Sequence, residues 1–166
     1  MRRAGHILGA ATVQVDIGGK RVVFSGDLGR YGDSVMHDPE PVTEADYIVI
    51  ESTYGNRQHD RSDSLEALAT VIERTVQRGG TVVIPSFAVG RAQSLIYALW
   101  RLRQSGRLKG IPVFLDSPMA TSATELLHRH QPDHKLTYDE CAAACNSVTY
   151  VRDVEESKAL TANRYP

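Results

Sequence analysis

The spacing of apolar residues changes near residue 55, and this change constrains the fold more than any other feature. Before it, apolar side chains occupy every second position from Val13 to Ile17, which is the period of a half-buried β-strand. After it, apolar residues recur at helical spacing between short apolar runs. The sequence therefore predicts two unlike parts, a β-rich part over residues 1–55 and an alternating strand–helix part over residues 56–166.

The β-rich part begins with a predicted hairpin. The pair Gly18-Gly19 separates the alternating strand from a second run, Arg21–Phe24, that returns beside it. Two adjacent glycines suit a two-residue turn, because both positions of that turn need a positive φ. Residues 25–41 contain several Gly and Pro residues and predict a loop. The apolar run Tyr47–Ile50 predicts a buried strand that ends at Glu51.

The second part alternates helices with strands. Asp63 and Glu66 form a capping-box pattern at the start of a helix that ends at Gly79-Gly80. A second helix begins near Arg91 and ends at Gly106. This alternation predicts a parallel sheet covered by helices, and therefore an α/β fold class. The other predicted elements are strands at Thr81–Ile84, Ile111–Leu115 and Val148–Val151 and helices at 121–130 and 153–160.

Composition excludes several classes of protein. The sequence has 19 Lys and Arg against 20 Asp and Glu, so a polybasic protein is excluded, although a local basic groove is not. Two cysteines, Cys141 and Cys145, exclude a disulfide scaffold, and their spacing predicts small, partly buried residues on a helix. No apolar run approaches the roughly 18 residues of a membrane span, and no secretory signal is evident. We therefore expect a cytoplasmic protein without a membrane partner.

Five short segments carry residue types that could perform chemistry. His6, in the first of them, lies in a glycine-flanked turn, and a side chain held near rigid backbone suits a metal ligand. Histidine is the commonest metal ligand, but most loop histidines only pack or form local hydrogen bonds, so both interpretations stay open. The five segments are Ala4–Ala10, Phe24–Asp27, Glu51–Gly55, Pro85–Gln93 and Leu115–Ala120.

Three carboxylates follow predicted strands. Asp27, Glu51 and Asp116 each come at the end of an apolar run. Ligands in α/β proteins often collect at the carboxyl ends of strands, which makes these side chains candidates for a metal or catalytic site. The ordinary alternatives are a turn-forming aspartate, an exposed strand-end carboxylate and a helix N-cap. Arg91, at a strand-to-helix junction, is either a phosphate contact or a solvated arginine.

In this order, the five segments resemble the β-CASP branch of the metallo-β-lactamase superfamily. That branch includes bacterial and archaeal RNA nucleases and the eukaryotic mRNA 3′-end cleavage factor. The resemblance covers nearly the whole chain and is carried in its second part by FAVGRAQ at 87–93 and DSPMA at 116–120. It implies a partial, β-rich metallo-β-lactamase domain over residues 1–55 and a partial β-CASP domain over 56–166, a parallel sheet covered by helices.

The resemblance also implies a role for each candidate site residue. His6 matches a metal-binding histidine of the family, and Asp27 matches the aspartate that bridges two zinc ions. Glu51 matches the acidic residue that orients the histidine protonating the leaving group. Asp27 and Glu51 are therefore the expected catalytic residues, zinc the expected cofactor and single-stranded RNA the expected partner. The candidate contacts to RNA are Arg91, Arg57 and Ser117.

The sequence departs from the family pattern in its metal ligands. The family signature HxHxDH does not precede His6, and the two later family histidines are also missing, so only His6 and Asp27 match. A catalytic zinc needs about three protein ligands. The segment His128–His134 reads HxHxxDH, but Pro132 and its position in the chain differ from the signature. We expect a solvated, histidine-rich helix end there, open to adventitious metal binding.

Three functions therefore stay open from the sequence. The first is a fragment of a zinc-dependent ribonuclease, a hydrolase that cleaves RNA with water activated by two metal ions. On its own, such a fragment is expected to be inactive. The second is a short, non-catalytic RNA-binding or scaffold homologue. The third is a metallo-hydrolase that acts on a small ester or thioester. The sequence leaves the choice between exonuclease and endonuclease open, as it does a homodimer in which ligands come from a second chain.

Overall fold

The chain folds into two compact units, each with its own sheet. The structure is a computed structural model and describes residues 1–58 and 62–163. The first unit contains residues 1–58 together with His130–Lys135, and the second contains the remaining described residues. No helix among the described residues is long and apolar enough to cross a membrane. The assignment of residues 1–55 to a metallo-β-lactamase domain stays a prediction.

The first unit is built on a four-stranded sheet in the order β1-β2-β3-β4. The first three strands pair antiparallel, and β4 joins β3 in parallel. The predicted hairpin is confirmed, because Ile17 pairs with Lys20 across a turn in which Gly18 and Gly19 have φ of 56° and 72°. The strands are β1 (Arg2–Arg3), β2 (Ala11–Ile17), β3 (Lys20–Phe24) and β4 (Tyr47–Val49).

The prediction that Tyr47–Ile50 is buried was wrong, because these residues are exposed in the described part of the chain. Tyr47 is 61% exposed and Ile50 is 64% exposed. A parallel strand is buried when it has neighbours on both sides and layers on both faces. In contrast, β4 lies at the edge of its sheet and is paired only with β3 among the described strands. The apolar run thus forms the predicted strand, but not a buried one.

The second unit is helical around a short parallel sheet. Within the described part of this unit, strands β5 and β6 pair in parallel from Phe114 opposite Thr149 to Asp116 opposite Val151. Two α-helices lie between β5 and β6 and a further helix follows β6, so the predicted α/β class is confirmed at the level of mixed helices and sheet. The elements are α1 (Ser64–Gln77), α2 (Arg91–Gln104), β5 (Phe114–Asp116), α3 (Pro118–Arg129), α4 (Tyr138–Cys145), β6 (Thr149–Val151) and α5 (Val154–Ala162).

Among the described residues of the second unit, apolar side chains form a larger and a smaller cluster. The larger one joins α1 to α2, with Ile72, Leu102 and the following Leu108 among its buried members. The smaller one packs Ile96 of α2 against the residues around α4. Apolar residues at helical spacing, as found after residue 55, are typical of helices that pack in this way. The N-terminus of α1 is closed by Asp63, whose carboxylate accepts hydrogen bonds from two backbone amides of the first turn.

The predicted strand at Thr81–Ile84 was wrong, because the run adopts no strand structure. Val83 is 81% exposed, and Phe87, further along the same loop, is 85% exposed. A strand needs a hydrogen-bonded neighbour, and among the described residues β5 pairs only with β6. Apolar content alone therefore did not make this run a strand.

Candidate functional site

His6 lies on a tight loop between β1 and β2. The Ala4 amide donates a hydrogen bond to the Ala10 carbonyl over 3.0 Å, which closes the loop. Gly5 has a φ of 69°, in the left-handed region that favours glycine. A Cβ at Gly5 would lie 2.6 Å from the His37 carbonyl oxygen, so only glycine fits against that backbone. The residue before His6 is therefore fixed by backbone packing.

The loop that carries Asp27 lies directly against the His6 loop. The Gly29 amide donates to the Ala4 carbonyl over 2.9 Å. A Cβ at Gly29 would lie 1.9 Å from the Gly5 carbonyl oxygen and 2.8 Å from the His6 nitrogen, so no larger residue fits. This close approach of two backbones brings the His6 Nε2 to 4.0 Å from the Asp27 Oδ2.

The third predicted site residue, Glu51, belongs to the same region. The Leu28 amide donates to its Oε1 over 2.8 Å, and the Thr53 amide lies 3.4 Å from its Oε2. The backbone of Glu51 is held as well, because its amide donates to the Ser25 hydroxyl over 3.0 Å. The carboxylate is thus hydrogen-bonded to the residue next to Asp27. Three residues singled out from the sequence come together in the first unit.

The electrostatics of Glu51 favour its ionised form. Its pKa lies below the ordinary value, chiefly because the Leu28 amide donates to the carboxylate, with smaller contributions from Thr53 and from the charge of His6. Burial opposes this shift only in part. A carboxylate held in this state accepts hydrogen bonds and orients donors, and it is a poor proton donor at neutral pH.

His6 and Asp27 fit part of a zinc site. Two donors bound to one tetrahedral zinc at about 2.0–2.1 Å lie roughly 3.4 Å apart. The 4.0 Å between the two side chains therefore allows a shared ion after a small adjustment, and both are accessible, at 44% and 75% exposure. No group of three or more His, Cys, Asp or Glu side chains among the described residues could hold a metal ion. The pair alone falls short of the about three ligands of a catalytic zinc.

The sequence predicted a solvated helix end at His128–His134. The structure confirms this only for part of the segment. His130 is exposed, and its Nδ1 lies 3.8 Å from a carboxylate oxygen of Asp133. His134 is only 3% exposed and forms an isolated antiparallel β-bridge with Met36. The expectation was wrong for His134 because this backbone pairing draws it into the first unit. The described histidines of the segment join no metal-binding group.

The two cysteines behave as packing residues, as predicted. Cys141 is fully buried and Cys145 is partly buried, both on α4. Burial, reinforced by the neighbouring Cys141, raises the pKa of Cys145 to about 12. The thiolate is the reactive form of cysteine, so a thiol with this pKa is inert at neutral pH.

The three candidate RNA contacts do not lie in one unit. Arg57 is an exposed residue of the first unit. Arg91 is exposed at the first position of α2, where the helix dipole favours anions. Ser117 precedes α3, and its hydroxyl accepts a hydrogen bond from the Ala120 amide over 3.2 Å. Joint contact of these residues with one RNA strand stays a prediction.

Sequence reasoning missed the structural role of Gln93. This side chain is 5% exposed at the start of α2. Its Oε1 accepts from the Gly90 amide over 2.8 Å, and its Nε2 donates to the Ala88 carbonyl over 3.1 Å and to the Thr124 hydroxyl over 2.9 Å. The carboxamide therefore fixes the loop before Arg91 and ties it to α3. A glutamine at the third position of a helix is a capping signal that could have indicated this role.

Comparison with known proteins places the chain beside RNA nucleases. Residues 92–166 match the family model described as the Beta-Casp domain. The chain is 39% identical over 128 residues to ribonuclease TTHA0252 of Thermus thermophilus, covering 76% of this chain and 29% of that protein. It is 38% identical over 123 residues to endoribonuclease YSH1 of Eremothecium gossypii, covering 70% of this chain and 16% of that protein.

An archaeal relative extends the comparison. The chain is 32% identical over 120 residues to the RNase J-like protein of Methanocaldococcus jannaschii, covering 70% of this chain and 28% of that protein. The chain thus spans less than a third of the length of each of these three relatives. What the relatives do as whole proteins therefore bears on this chain only through the residues that it contains.

Proposed function

Because the chain belongs to the β-CASP family of RNA-processing nucleases in the metallo-β-lactamase superfamily, we propose that it contributes part of the active site of a zinc-dependent ribonuclease. The reaction is hydrolysis of a phosphodiester bond in RNA. The observation that carries the proposal is the convergence of three residues. The loops of His6 and Asp27 meet where only glycine fits, and the Glu51 carboxylate accepts a hydrogen bond from the residue after Asp27.

Each of the three residues has a separate role in this proposal. His6 would hold zinc through its imidazole, and Asp27 would hold it through its carboxylate. When bound, zinc supplies Lewis acidity that lowers the pKa of a water molecule and stabilises charge on the phosphoryl oxygens. Glu51 stays ionised and orients a histidine that donates a proton to the leaving oxygen. The lowered pKa of Glu51 supports this orienting role.

RNA binding is proposed to use cations and helix termini. Arg91 carries its guanidinium at the N-terminus of α2, where the positive end of the helix dipole adds to the charge. The Ser117 hydroxyl accepts from a backbone amide and keeps its own proton to donate to a phosphate oxygen. Arg57 is the candidate contact of the first unit. Contacts of this kind favour a flexible single strand whose phosphates they can follow.

The ligand count supports a further part of the proposal. These 166 residues hold the His6–Asp27 pair and no group of three potential ligands in the described ranges, so the polypeptide by itself is proposed not to cleave RNA. The same count favours a second candidate function, a non-catalytic RNA-binding homologue. A hydrolase of small esters or thioesters finds no support in the three relatives described above, which are all named as RNases.

Zinc titration followed by NMR tests the metal role. The His6 ring resonances are expected to shift on addition of zinc, with weak affinity and no tightly held stoichiometric ion. Asp27→Asn should abolish that shift because it removes the second donor, whereas the matched change Asp133→Asn should leave it intact. If the His6 ring ignores zinc, or responds equally in Asp27→Asn, the proposed site is wrong.

A ribonuclease assay on single-stranded RNA tests the remaining part. The expected result is binding without Asp27-dependent cleavage. Cleavage that disappears in Asp27→Ala would mean that a second copy of the chain supplies the missing ligands, as in a homodimer. Absence of binding to single-stranded RNA at low salt would count against both the ribonuclease and the RNA-binding proposals.

A further inference from the structure

The segment His130–Lys135 belongs to the first unit, although its sequence lies between two helices of the second. Its last two residues pair with a buried part of the first unit. His134 forms a β-bridge with Met36, and the Lys135 amide donates to the Val35 carbonyl over 2.8 Å. Val35 and Met36 are 2% and 7% exposed, so this pairing lies at the inner side of their loop.

The Lys135 side chain joins Asp33 and Asp38, the two ends of the loop that contains Val35 and Met36. Its Nζ donates to the Asp38 Oδ1 over 2.7 Å and to the Asp33 carbonyl over 3.1 Å. Both aspartates also hold the loop from within: Asp33 Oδ1 accepts the Val35 amide over 2.8 Å, and Asp38 Oδ1 accepts the Gly32 amide over 3.0 Å. The ammonium therefore bridges two separate turns. It is also the main reason that the pKa of Asp38 lies below its ordinary value.

The same loop supports the backbone that precedes His6. The Arg3 Nε donates to the Asp38 carbonyl over 3.3 Å. The His37 carbonyl oxygen lies 2.6 Å from the place where a Cβ of Gly5 would be, so the two backbones touch. His6 follows Gly5 directly. A path of contacts thus leads from the Lys135 ammonium through Asp38 and His37 to the residue that carries the imidazole.

We propose that Lys135 is a positioning residue for His6, because its ammonium fixes the Asp33–Asp38 loop and that loop fixes the backbone of Gly5. The inference rests on the proposed function in so far as His6 serves there as a metal ligand. The proposed effect of Lys135 on the backbone of Gly5 and His6 does not need a bound metal, so it can be tested on the chain without zinc. The Lys135 and Asp38 side chains are 33% and 45% exposed, and an ordinary ion pair at that exposure would have little effect on the loop. Loss of the Lys135 charge should therefore disturb the backbone near His6 if Lys135 is a positioning residue, and should leave it unchanged if the pair is only an ordinary surface ion pair.

Amide hydrogen exchange and the His6 ring resonances, measured on the 166-residue chain, test the proposal. Lys135→Met keeps the aliphatic stem and removes the charge. Exchange of the Gly29 and Ala4 amides, which brace the His6 loop, is expected to accelerate about tenfold, and the His6 ring resonances are expected to shift. The Val15 amide of the hairpin should be unaffected. Lys109→Met, at an exposed lysine of the second unit, is the matched control and should change neither reading.

Two further variants keep the test decisive. Lys135→Arg retains a cation that can bridge the same two acceptors and should restore the wild-type reading. Asp38→Asn removes the partner charge with little change in shape and should reproduce Lys135→Met. Unchanged Gly29 and Ala4 exchange in both charge-removing variants would overturn the proposal, as would an equal acceleration at Val15, which would make Lys135 a general stability contact.

Zinc addition separates this inference from the proposed function. If zinc shifts the His6 ring in the wild-type chain, Lys135→Met should weaken that response. If zinc has no effect on either protein, the proposed metal role of His6 fails. In that case the exchange and ring resonances without metal still decide whether Lys135 positions the imidazole.

Discussion

The two units of this chain hold their residues in place by different means. In the first unit, the loops of His6 and Asp27 meet backbone to backbone, and the contact between Gly5 and Gly29 leaves no space for a side chain. In the second unit, side chains of α1 and α2 meet in an apolar cluster around Leu102. Backbone contacts fix the separation of two loops closely, whereas side-chain contacts can adjust by changing rotamers.

This difference separates the site from the core. The candidate ligands lie on exposed loops, which must be held without burying the side chains that face solvent. Glycine contacts achieve this because they order the backbone and leave the imidazole of His6 and the carboxylate of Asp27 accessible. The buried helices of the second unit need no such accessibility, and apolar packing is sufficient there. We expect the two kinds of contact to respond differently to substitution.

The largest effect is expected in the apolar cluster. Leu102 is 2% exposed. Leu102→Ala should destabilise the second unit by about 3 kcal/mol, since it removes buried methyl groups and leaves a cavity. The measurement is the free energy of opening of the α1 and α2 amides by hydrogen exchange. Leu126→Ala is the control, because Leu126 is 48% exposed on α3 of the same unit and should cost little. Equal losses in both variants would mean that the cluster does not stabilise the unit.

A smaller but more local effect is expected at the glycine contact. Gly29→Ala should cost about 2 kcal/mol, because the added methyl group overlaps the Gly5 carbonyl and forces the loops apart. In this variant, zinc should no longer shift the NMR resonances of the His6 ring, and the hydrogen exchange of the hairpin amides should change little. Gly55→Ala is the milder comparison, since a Cβ there would lie 3.3 Å from the Ser52 carbonyl oxygen, a tight contact that a shift of a few tenths of an ångström relieves. A Gly29→Ala protein with an intact zinc response would break the comparison.

Local patterns predicted the elements that depend on local contacts. The alternation before Gly18-Gly19 predicted the hairpin, and the apolar residues at helical spacing after residue 55 predicted helices α1 and α2. The run Thr81–Ile84 has the same apolar character as a strand, but strand formation depends on a neighbour that the run itself does not encode. Its conformation was therefore the least predictable from local sequence.

The candidate site depended on contacts between distant residues. Only the family resemblance predicted that His6 and Asp27 lie close together. No local sequence pattern shows that Gly29 packs against Gly5, the contact that brings their loops together. Likewise, nothing in the sequence around Lys135 indicates its ion pair with Asp38, which lies 97 residues earlier in the chain. Side-chain charge and glycine content are visible in a sequence, but the partner that each one meets is set by the fold.

The smallest expected effect is the pH response of an ion-pair cluster in the second unit, and it sharpens the comparison by testing polar contacts beside the apolar cluster. Arg107 donates to the carboxylates of Glu66 and Glu73 on α1. Its guanidinium lowers the pKa of Glu73 below the ordinary 4.5. The stabilisation is therefore fully present above pH 4.5 and is lost as the pH falls through the lower pKa of the folded state.

In Arg107→Met, the melting temperature should be slightly lower at neutral pH, and this difference should shrink on acidification and in high salt. Arg74→Met, at an exposed arginine of α1, is the control. A difference from wild type that is independent of pH would show that Arg107 acts through packing of its stem and not through its charge.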